Sequence, residues 1–304
     1  MPKILLAIDG SQHALHTVAT LAQLAEGWRQ IDLHVLNVQA QPPLYGEVVA
    51  YLPPEKTESY ARAAGHLALA DSLGLLKGTS IPYSSEVRLG DTATTIVASA
   101  QSLGCALIVI GSRGTGAIAG MLMGSAVTKV IHLSAVPVLV IPSTTAAMGD
   151  QQTRTREGTK ILLPVDGSAG ALAAVREVIR IASWFKVAPE IHLLAIYDRT
   201  PLDVQLAAMV SSDQIHQYQV KQFAAVFKQV RDVLSGVDLK VVEHTAIGQP
   251  AEEIRLIAKS YHCGLICMGS RGMGAVRNIV LGSVVNKLLH AADVPVLVVP
   301  PIAP

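Results

Sequence analysis

Short apolar runs alternate with longer amphipathic stretches along the whole chain, and the alternation occurs twice. An unbroken apolar run such as Ile4–Ile8 is typical of a strand whose sheet is covered by helices on both faces. The stretch after it spaces apolar residues three and four positions apart, which indicates an amphipathic helix. Strands that alternate with helices favour a parallel sheet with right-handed crossovers. The pattern therefore predicts an α/β chain with five strands in each half.

The apolar and polar pattern also gives approximate bounds for each element. The first-half strands are predicted at 3–8, 31–38, 81–88, 106–110 and 136–141, and the helices at 11–27, 55–76, 91–103 and 124–135. The second-half strands are predicted at 160–166, 190–197, 238–245, 264–268 and 295–299, and the helices at 168–186, 203–235, 250–262 and 282–292. Residues 143–159 are small and polar without periodicity, which predicts a linker between domains 1–142 and 160–304.

Length, charge and hydropathy narrow the class of protein. A chain of 304 residues is long for one domain and suits two of about 150. A net charge of +1 and a pI near 7.8 give no field that would attract nucleic acid or an anionic membrane, so neither is predicted as a partner. Mean hydropathy is +0.41, but the apolar runs are shorter than the roughly 20 residues of a spanning helix. The first apolar run is also too short for a signal peptide, which favours a cytoplasmic location.

Several residues with reactive side chains are predicted to be structural. Cys105, Cys263 and Cys267 have no spacing that suggests zinc or a disulfide framework, and they are predicted to be small buried residues of a reduced compartment. Two pairs of histidines at equivalent positions of the halves are predicted to be satisfied core residues rather than ligands: His34 with His192, and His132 with His290.

One glycine-rich stretch occurs in both halves. Gly111–Gly116 reads GSRGTG and is followed by Gly124 and Ser125, and Gly269–Gly274 reads GSRGMG and is followed by Gly282 and Ser283. Residues 105–142 and 263–300 are identical at 20 of 38 positions, so the halves are repeats. Glycines let backbone N–H groups turn toward one point, and the helix that follows adds partial positive charge at its N-terminus. The stretch therefore predicts a phosphate site in each half.

The repeated Gly-x2-Gly-x9-Gly-Ser pattern, with the Asp-Gly-Ser after each first strand, closely resembles the nucleotide-binding branch of the universal stress protein family. The resemblance covers nearly the whole chain. It implies two tandem domains of the adenine nucleotide alpha hydrolase-like type, each with a five-stranded parallel, doubly wound sheet. Strands one and four would lie side by side, which would bring Asp9 and Asp166 to the glycine loops. The backbone of Val38 and Ile196, at the end of strand two, would hold an adenine.

The resemblance implies a nucleotide site in each half, with ATP as the ligand and AMP or cyclic AMP as alternatives. The first-half site residues are Ala7, Asp9, Val38, Ile110, Gly111, Arg113, Gly114, Gly116, Gly124, Ser125, Ala126 and Val127. The second-half site residues are Pro164, Asp166, Ile196, Met268, Gly269, Arg271, Gly272, Gly274, Gly282, Ser283, Val284 and Val285. Asp9 and Asp166 are also the candidates to hold Mg²⁺ through the phosphates.

Each assignment has a structural alternative. The two aspartates would also form Asx turns before serine-capped helices, and the glycine loops would also serve as tight turns without a ligand. The arginines within the loops either neutralise phosphate or point to solvent. Ser125 and Ser283 are predicted to be helix N-caps that also suit a phosphate oxygen. Gly114 and Gly272 are predicted at positive φ, where a β-branched residue would be strained.

Competing motifs do not account for the loops. The chain has no Gly-x4-Gly-Lys-Ser/Thr and therefore no Walker lysine. Residues 114–119 imitate a dinucleotide fingerprint, but they follow the fourth strand rather than the first, and the repeat has Arg277 where the fingerprint needs a small residue. Neither loop is accompanied by a serine–histidine–acid set or a convincing metal cluster. The sequence therefore favours a binding protein over an enzyme.

Three functional hypotheses follow. The first is a nucleotide-dependent stress-response or signalling module that binds an adenine nucleotide in each domain. The alternatives are a weak ATPase or phosphotransferase of the same fold, and a scaffold that has lost its ligand, which the intact glycines argue against. The apolar fifth strands, 138–141 and 296–299, are predicted to pair within one chain as an internal pseudo-dimer, and a homodimer is left open.

Overall fold

The computed structural model describes residues 1–40, 54–114, 123–143, 158–198, 212–272 and 281–301. The chain divides into two compact units, Met1–Thr144 and Thr145–Pro304, called unit 1 and unit 2. Within the described ranges, no helix is both long enough and apolar enough to cross a membrane.

Unit 1 is a parallel sheet with helices between successive strands. Its strands are β1 Lys3–Ala7, β2 Asp32–Gln39, β3 Tyr83–Leu89, β4 Leu107–Gly111 and β5 Val138–Ile141. Its helices are α1 Gln12–Glu26, α2 Pro54–Lys77, α3 Thr92–Ser102 and α4 Ser125–Leu133. The strand order is β3-β2-β1-β4-β5, and the pairs are parallel. Helix α1 packs against α2, and α3 packs against α4, as expected when the order reverses between β1 and β4 and the helices cover both faces.

Unit 2 repeats this arrangement. Its strands are β6 Lys160–Val165, β7 Glu190–Tyr197, β8 Val241–Ile247, β9 Leu265–Gly269 and β10 Val296–Val299. Its helices are α5 Ala169–Ala182, α6 Ser212–Leu234, α7 Pro250–Ser260 and α8 Ser283–Ala291. The strand order is β8-β7-β6-β9-β10, again with parallel pairs. Helix α5 packs against α6, and α7 packs against α8.

The central strands form the core of each unit. Residues 4–7 of β1 and all four residues of β5 are buried, as the unbroken apolar runs predict for a sheet covered on both faces. The three cysteines are buried as well, which confirms their assignment as small core residues. Burial raises the pKa of the Cys105 thiol and raises that of Cys267 well above the usual value. Neither thiol is therefore a ready nucleophile.

The observed bounds differ from the predicted ones in a few places. Strand β8 begins at Val241 rather than 238, because its pairing with β7 starts opposite Ile191. Helix α5 ends at Ala182, and the first part of the long helix predicted at 203–235 lies outside the described residues. Pro137 and Pro295 immediately precede β5 and β10, where a missing N–H costs no ladder bond. Their carbonyls accept hydrogen bonds from β4 and β9 at 3.0 Å.

Candidate functional site

Each unit brings an acidic residue and the glycine loop to one edge of its sheet. Strands β1 and β4 are hydrogen-bonded neighbours whose pairing runs to Ala7 opposite Ile110, and β6 pairs with β9 in the equivalent register but only as far as Leu162 opposite Ile266. Parallel strands end at the same edge, so Asp9 lies beside the start of the first loop and Asp166 beside the second. The juxtaposition expected from the resemblance is therefore present twice. The carboxyl edge at a reversal of strand order is where parallel α/β sheets bind ligands.

The two aspartates form the turns that the sequence predicts. Asp9 Oδ1 accepts a hydrogen bond from the Ser11 amide at 3.0 Å, and Asp166 Oδ1 accepts one from the Ser168 amide at 2.9 Å. The intervening residues, Gly10 and Gly167, both have φ near 81°, a left-handed conformation that favours glycine. The Asx-turn interpretation is thus confirmed, and it occupies one oxygen of each carboxylate.

The serines after these turns cap the first helix of each unit. Ser11 Oγ accepts a hydrogen bond from the Ala14 amide, and Ser168 Oγ accepts one from the Ala171 amide, both at 3.1 Å. These hydroxyls satisfy donors that a helix start leaves open. The Asp-Gly-Ser sequence therefore fixes the turn and the helix start in both units.

The second carboxylate oxygen of each aspartate lies against the glycine turn. A Cβ built on Gly114 would overlap Asp9 Oδ2, and one built on Gly272 would come within 2.7 Å of Asp166 Oδ2. Neither glycine has a positive φ, so the predicted reason for these glycines is wrong. Glycine is needed there because the carboxylate approaches the backbone where a side chain would begin.

Hydrogen bonds bring the loop back to the strand from which it leaves. The Gly124 amide donates to the Ser112 carbonyl, and the Gly282 amide donates to the Ser270 carbonyl, each at 2.9 Å. Ser112 and Ser270 are buried and also pair with the last strand of their unit. The start of α4 or α8 is thereby held beside the start of its loop. Gly116 and Gly274 lie outside the described residues.

The serine predicted as an N-cap is instead the first residue of each helix. The N-caps are Gly124 and Gly282, which have extended backbones and make no side-chain capping hydrogen bond. Ser125 and Ser283 occupy the next position, so their assignment as N-caps is wrong. The first amides of a helix have no intrahelical acceptor and carry the positive end of its dipole. Each site thus includes a helix start suited to an anion.

The remaining predicted site residues lie around this edge. Ala7 ends β1, and Pro164, Ile110 and Met268 are penultimate residues of their strands. The side chains of Val127 and Val285 are buried in the core, whereas Ala126 and Val284 are half-buried. Arg113 and Arg271 are half-buried at the start of the loops. The Nε atom of Arg271 is buried and has no hydrogen-bond partner within the described part of the chain, which a bound anion would supply.

The end of β2 presents backbone groups above the end of β1. Near the end of that ladder the Ile8 amide donates to the Leu36 carbonyl at 3.0 Å. Backbone groups alternate in direction along a strand, so the N–H and C=O of Val38 point to the same side, past the point where the chain turns at Asp9. Ile196 has the equivalent place in β7. These are the two residues whose backbone the resemblance implies as the contact of a base.

Two residues at this edge were not identified from the sequence. Asn37 is fully buried in β2, and its Nδ2 donates to the Ile8 carbonyl at 2.8 Å. Gln39 Nε2 donates to Asn37 Oδ1 at 2.7 Å. A polar residue inside an apolar run was the available signal, because buried amides require partners.

A separate histidine cluster occurs in unit 2. His192 and His244 approach to 2.9 Å between Nδ1 and Nε2, and the Tyr261 ring lies 4.2 Å from the His244 ring. Burial lowers the pKa of both histidines, and the charge of His244 lowers that of His192 further. His34 bonds instead to Ser84 Oγ at 2.9 Å. Both strand histidines are buried as predicted, but the Nε2 atom of each has no hydrogen-bond partner among the described residues and lies 3.3–3.4 Å from a glutamate carboxylate, so the prediction that they are fully satisfied is wrong. His132 and His290 are exposed at the ends of α4 and α8, so their core assignment is wrong.

Metal ligands are sparse in the described ranges, which contain no group of three or more histidine, cysteine, aspartate or glutamate side chains able to hold an ion.

Comparisons with known proteins give one family. The model of the universal stress protein family matches residues 1–142 and 158–300. A universal stress protein of Mycobacterium tuberculosis is 26% identical over 303 residues, 97% of this chain and 96% of that protein. One of Methanocaldococcus jannaschii is 32% identical over 140 residues, 46% of this chain and 81% of that protein.

Solved structures agree on the fold. The crystal structure of a universal stress protein from Archaeoglobus fulgidus has a TM-score of 0.65 and 20% identity, covering 98% of this chain and 96% of that one. A putative universal stress protein from Pseudomonas aeruginosa has a TM-score of 0.59 and 18% identity, covering 99% and 94%. At this identity the likeness concerns the fold alone. It confirms the predicted α/β architecture.

Proposed function

The chain belongs to the universal stress protein family, and from that premise we propose that each unit binds an adenine nucleotide, with ATP as the ligand, at the carboxyl edge of its sheet. One observation carries the proposal. In both units a carboxylate oxygen lies against the glycine turn at Gly114 or Gly272, beside the start of the helix that follows the loop. An acid, a glycine turn and open helix amides thus share one edge.

The parts of the edge suit different parts of a nucleotide. The open amides at the starts of α4 and α8 would receive phosphate oxygens, and the Arg271 side chain would add positive charge in unit 2. The backbone of Val38 and Ile196 would pair with the edge of the base, since it points past the end of the neighbouring strand. The side-chain-free faces of the glycines leave room for the phosphates to approach.

The aspartates favour a bound cation. A phosphate at the glycine turn would lie close to the Asp9 or Asp166 carboxylate, and two anions repel each other at short range. Mg²⁺ prefers oxygen ligands and is commonly held by one or two carboxylates together with phosphates. Mg²⁺ would neutralise phosphate charge there, and the Asx turn would keep the carboxylate in place.

Binding without turnover would suit a stress-response or signalling role. A ligand that binds only the folded state stabilises it according to the ligand concentration, so each unit would respond to the nucleotide supply. We place this module in the cytoplasm, with domains 1–142 and 160–304. The pairing of the two fifth strands stays a prediction, to be tested by cysteine cross-linking.

Analysis of the native ligand tests the proposal. The purified full-length protein is denatured, the released small molecules are identified by mass spectrometry, and the stripped, refolded protein is titrated with ATP by calorimetry with and without Mg²⁺. We expect an adenine nucleotide in the extract, two ATP sites per chain, and weaker binding without Mg²⁺. A refolded protein that binds no adenine nucleotide, after an extract that contains none, would contradict the proposal.

A weak ATPase is the second candidate, because the Asp9 and Asp166 oxygens at the glycine turns could hold a metal or orient water. We expect phosphate release far below the roughly 10 s⁻¹ typical of enzymes. A rate near that value, lost in Asp9→Ala and Asp166→Ala, would favour the ATPase over a binding module.

A further inference from the structure

Unit 1 contains a chain of side-chain hydrogen bonds that unit 2 lacks. Gln39 donates to Asn37 at 2.7 Å, and Asn37 donates to the Ile8 carbonyl at 2.8 Å. The equivalent residues of unit 2 are Ala195 and Tyr197, which cannot form this chain. Tyr197 instead meets the exposed ring of Tyr218 edge-on, with 6.4 Å between centroids.

The donors and acceptors in this series of hydrogen bonds fix the orientation of the Asn37 and Gln39 side-chain amides. A backbone carbonyl only accepts, so Asn37 must direct its NH₂ group to Ile8. Its oxygen then faces Gln39, which must present its own NH₂ group in return. This leaves the Oε1 atom of Gln39 turned away from Asn37. The network itself therefore settles which end of the Gln39 amide faces outward.

The same hydrogen bonds place Gln39 beside the expected base. Asn37 occupies the Ile8 carbonyl, which the next rung of the β1–β2 ladder would otherwise use to receive the Val38 amide. Gln39 and Asn37 lie on one face of β2, since side chains alternate along a strand. The half-buried Gln39 amide thus folds back along β2 to Asn37, the residue that bonds to the end of β1, and flanks the Val38 backbone in sequence.

We propose that Gln39 reads the base in unit 1, an inference that rests on the proposed nucleotide site. Its Oε1 accepts a hydrogen bond from the 6-amino group of a purine and repels a 6-oxo group. The backbone of Val38 and Ile196 is common to the two units and contributes to both sites alike. Unit 1 therefore prefers 6-aminopurine nucleotides more strongly than unit 2 does.

ATP and ITP distinguish the two sites, because the change from a 6-amino to a 6-oxo purine reverses hydrogen bonding at the base edge. Each nucleotide is titrated into two full-length variants, Gly272→Val to observe unit 1 and Gly114→Val to observe unit 2. A hydrogen bond exchanged for two opposed acceptors changes affinity by about tenfold or more. We expect the ratio of ITP to ATP dissociation constants to be at least about tenfold larger in unit 1.

Exchanging the side chains between units tests the assignment of Gln39. In the Gly272→Val background, Gln39→Met keeps the length of the side chain and removes its amide, and we expect the ratio to fall to the value of unit 2. In the Gly114→Val background, Ala195→Asn with Tyr197→Gln builds the chain of amides into unit 2, and we expect its ratio to rise about tenfold. The second pair of substitutions leaves Gln39 unchanged, so it tests the assignment even if Gln39→Met misfolds.

The outcomes separate this inference from the proposed function. Equal ratios in the two units, or a ratio in unit 1 that persists in Gln39→Met, would overturn the role of Gln39 and leave nucleotide binding intact. A wild-type protein that binds neither ATP nor ITP would overturn the proposed function and this inference with it.

Discussion

The two units share a loop sequence but hold the loop against different neighbours. In unit 2 the first turn of α5 lies directly against the loop, because a Cβ built on Gly170 would overlap the Arg271 carbonyl oxygen. Unit 1 has His13 at the position of Gly170, and this residue carries the Cβ that unit 2 cannot admit. Gly111 of unit 1 faces Thr17 instead, with Oγ1 2.6 Å from where a Cβ would lie.

At the Asx turns, unit 1 is the more closely packed of the two units. A Cβ on Gly10 would come within 2.7 Å of Ala68 on α2, whereas one on Gly167 would meet nothing closer than Gln229 Oε1 at 3.2 Å. The turn at Gly10 in unit 1 is thus packed closely against α2, whereas in unit 2 the close backbone contact is between α5 and the start of the glycine loop. The shared motif determines where the chain turns, and the neighbouring helices determine how much room the turn has. The two sites should therefore differ in the substitutions they tolerate.

The largest expected effect is a loss of ATP affinity when the loop glycine of either unit is replaced. Gly114→Val or Gly272→Val should weaken ATP binding in its own unit by about 100-fold or more, equivalent to about 3 kcal/mol, because the new side chain begins at the aspartate carboxylate. Calorimetry should then find one ATP site where the wild-type protein has two. Two unaltered sites in both variants would show that the glycine turn does not contact the ligand.

The next effect separates the units. Gly170→Ala should destabilise unit 2 by about 1–3 kcal/mol, the usual cost of forcing an atom into a packed site, because the Arg271 carbonyl must move. His13→Ala is the matched control, and it should change unit 1 by about 0.5 kcal/mol or less, since it adds no atom to the contact.

Each unit carries its own fluorescent reporter for this test. Trp28 is buried in unit 1 and Trp184 in unit 2, and these are the two tryptophans of the sequence. Urea denaturation of the variants in Trp28→Phe and Trp184→Phe backgrounds follows each unit separately. If Gly170→Ala shifts the urea midpoint of unit 2 by no more than His13→Ala shifts that of unit 1, the close packing of α5 on the loop is not a property of unit 2 alone.

A smaller difference should appear as pH falls. Burial lowers the pKa of His192 and His244 below 6.5, so the unfolded chain binds protons more readily than the folded one. Their contribution to stability is complete above about pH 6.5 and is lost as pH falls toward the lower folded pKa values. In unit 1 the partner of His34 is the Ser84 hydroxyl.

Charged residues surround the His192–His244 pair, and a variant of His244 tests which group titrates. Glu190 raises and Lys160 lowers the pKa of His192, and Lys240 bonds to Glu190 at 3.0 Å. Burial raises the pKa of Glu190, but Lys240, His192 and Lys160 together lower it more, so this carboxylate stays charged while the histidines titrate. His244→Ser removes the titratable partner of His192 and should flatten the dependence of unit 2 stability on pH between about 5 and 6.5. An unchanged slope would place the titrating group elsewhere.

Much of this fold could be predicted from the sequence, because its signals are local. Apolar runs and glycines located the strands and turns, and the repeat supported each assignment twice. The reason for Gly114 was wrong because it depends on Asp9, more than 100 residues away, rather than on local backbone geometry. Asn37 and Gly170 were missed for the same reason. Their partners are a carbonyl on another strand and a loop backbone, which no periodicity reveals.

The smallest predicted effect concerns the serines at the two ends of the site. Ser11 and Ser168 are true N-caps, and replacing either by alanine should cost its unit about 1 kcal/mol because the first-turn amide loses its acceptor. Ser125 and Ser283 lie one residue inside their helices and make no capping bond, so their alanine variants should cost about 0.5 kcal/mol or less. Urea denaturation with the two tryptophan reporters would measure both effects. If Ser125→Ala and Ser283→Ala cost as much as the true caps without ligand, these hydroxyls would have a structural partner, and the helix start would be less open to an anion than we propose.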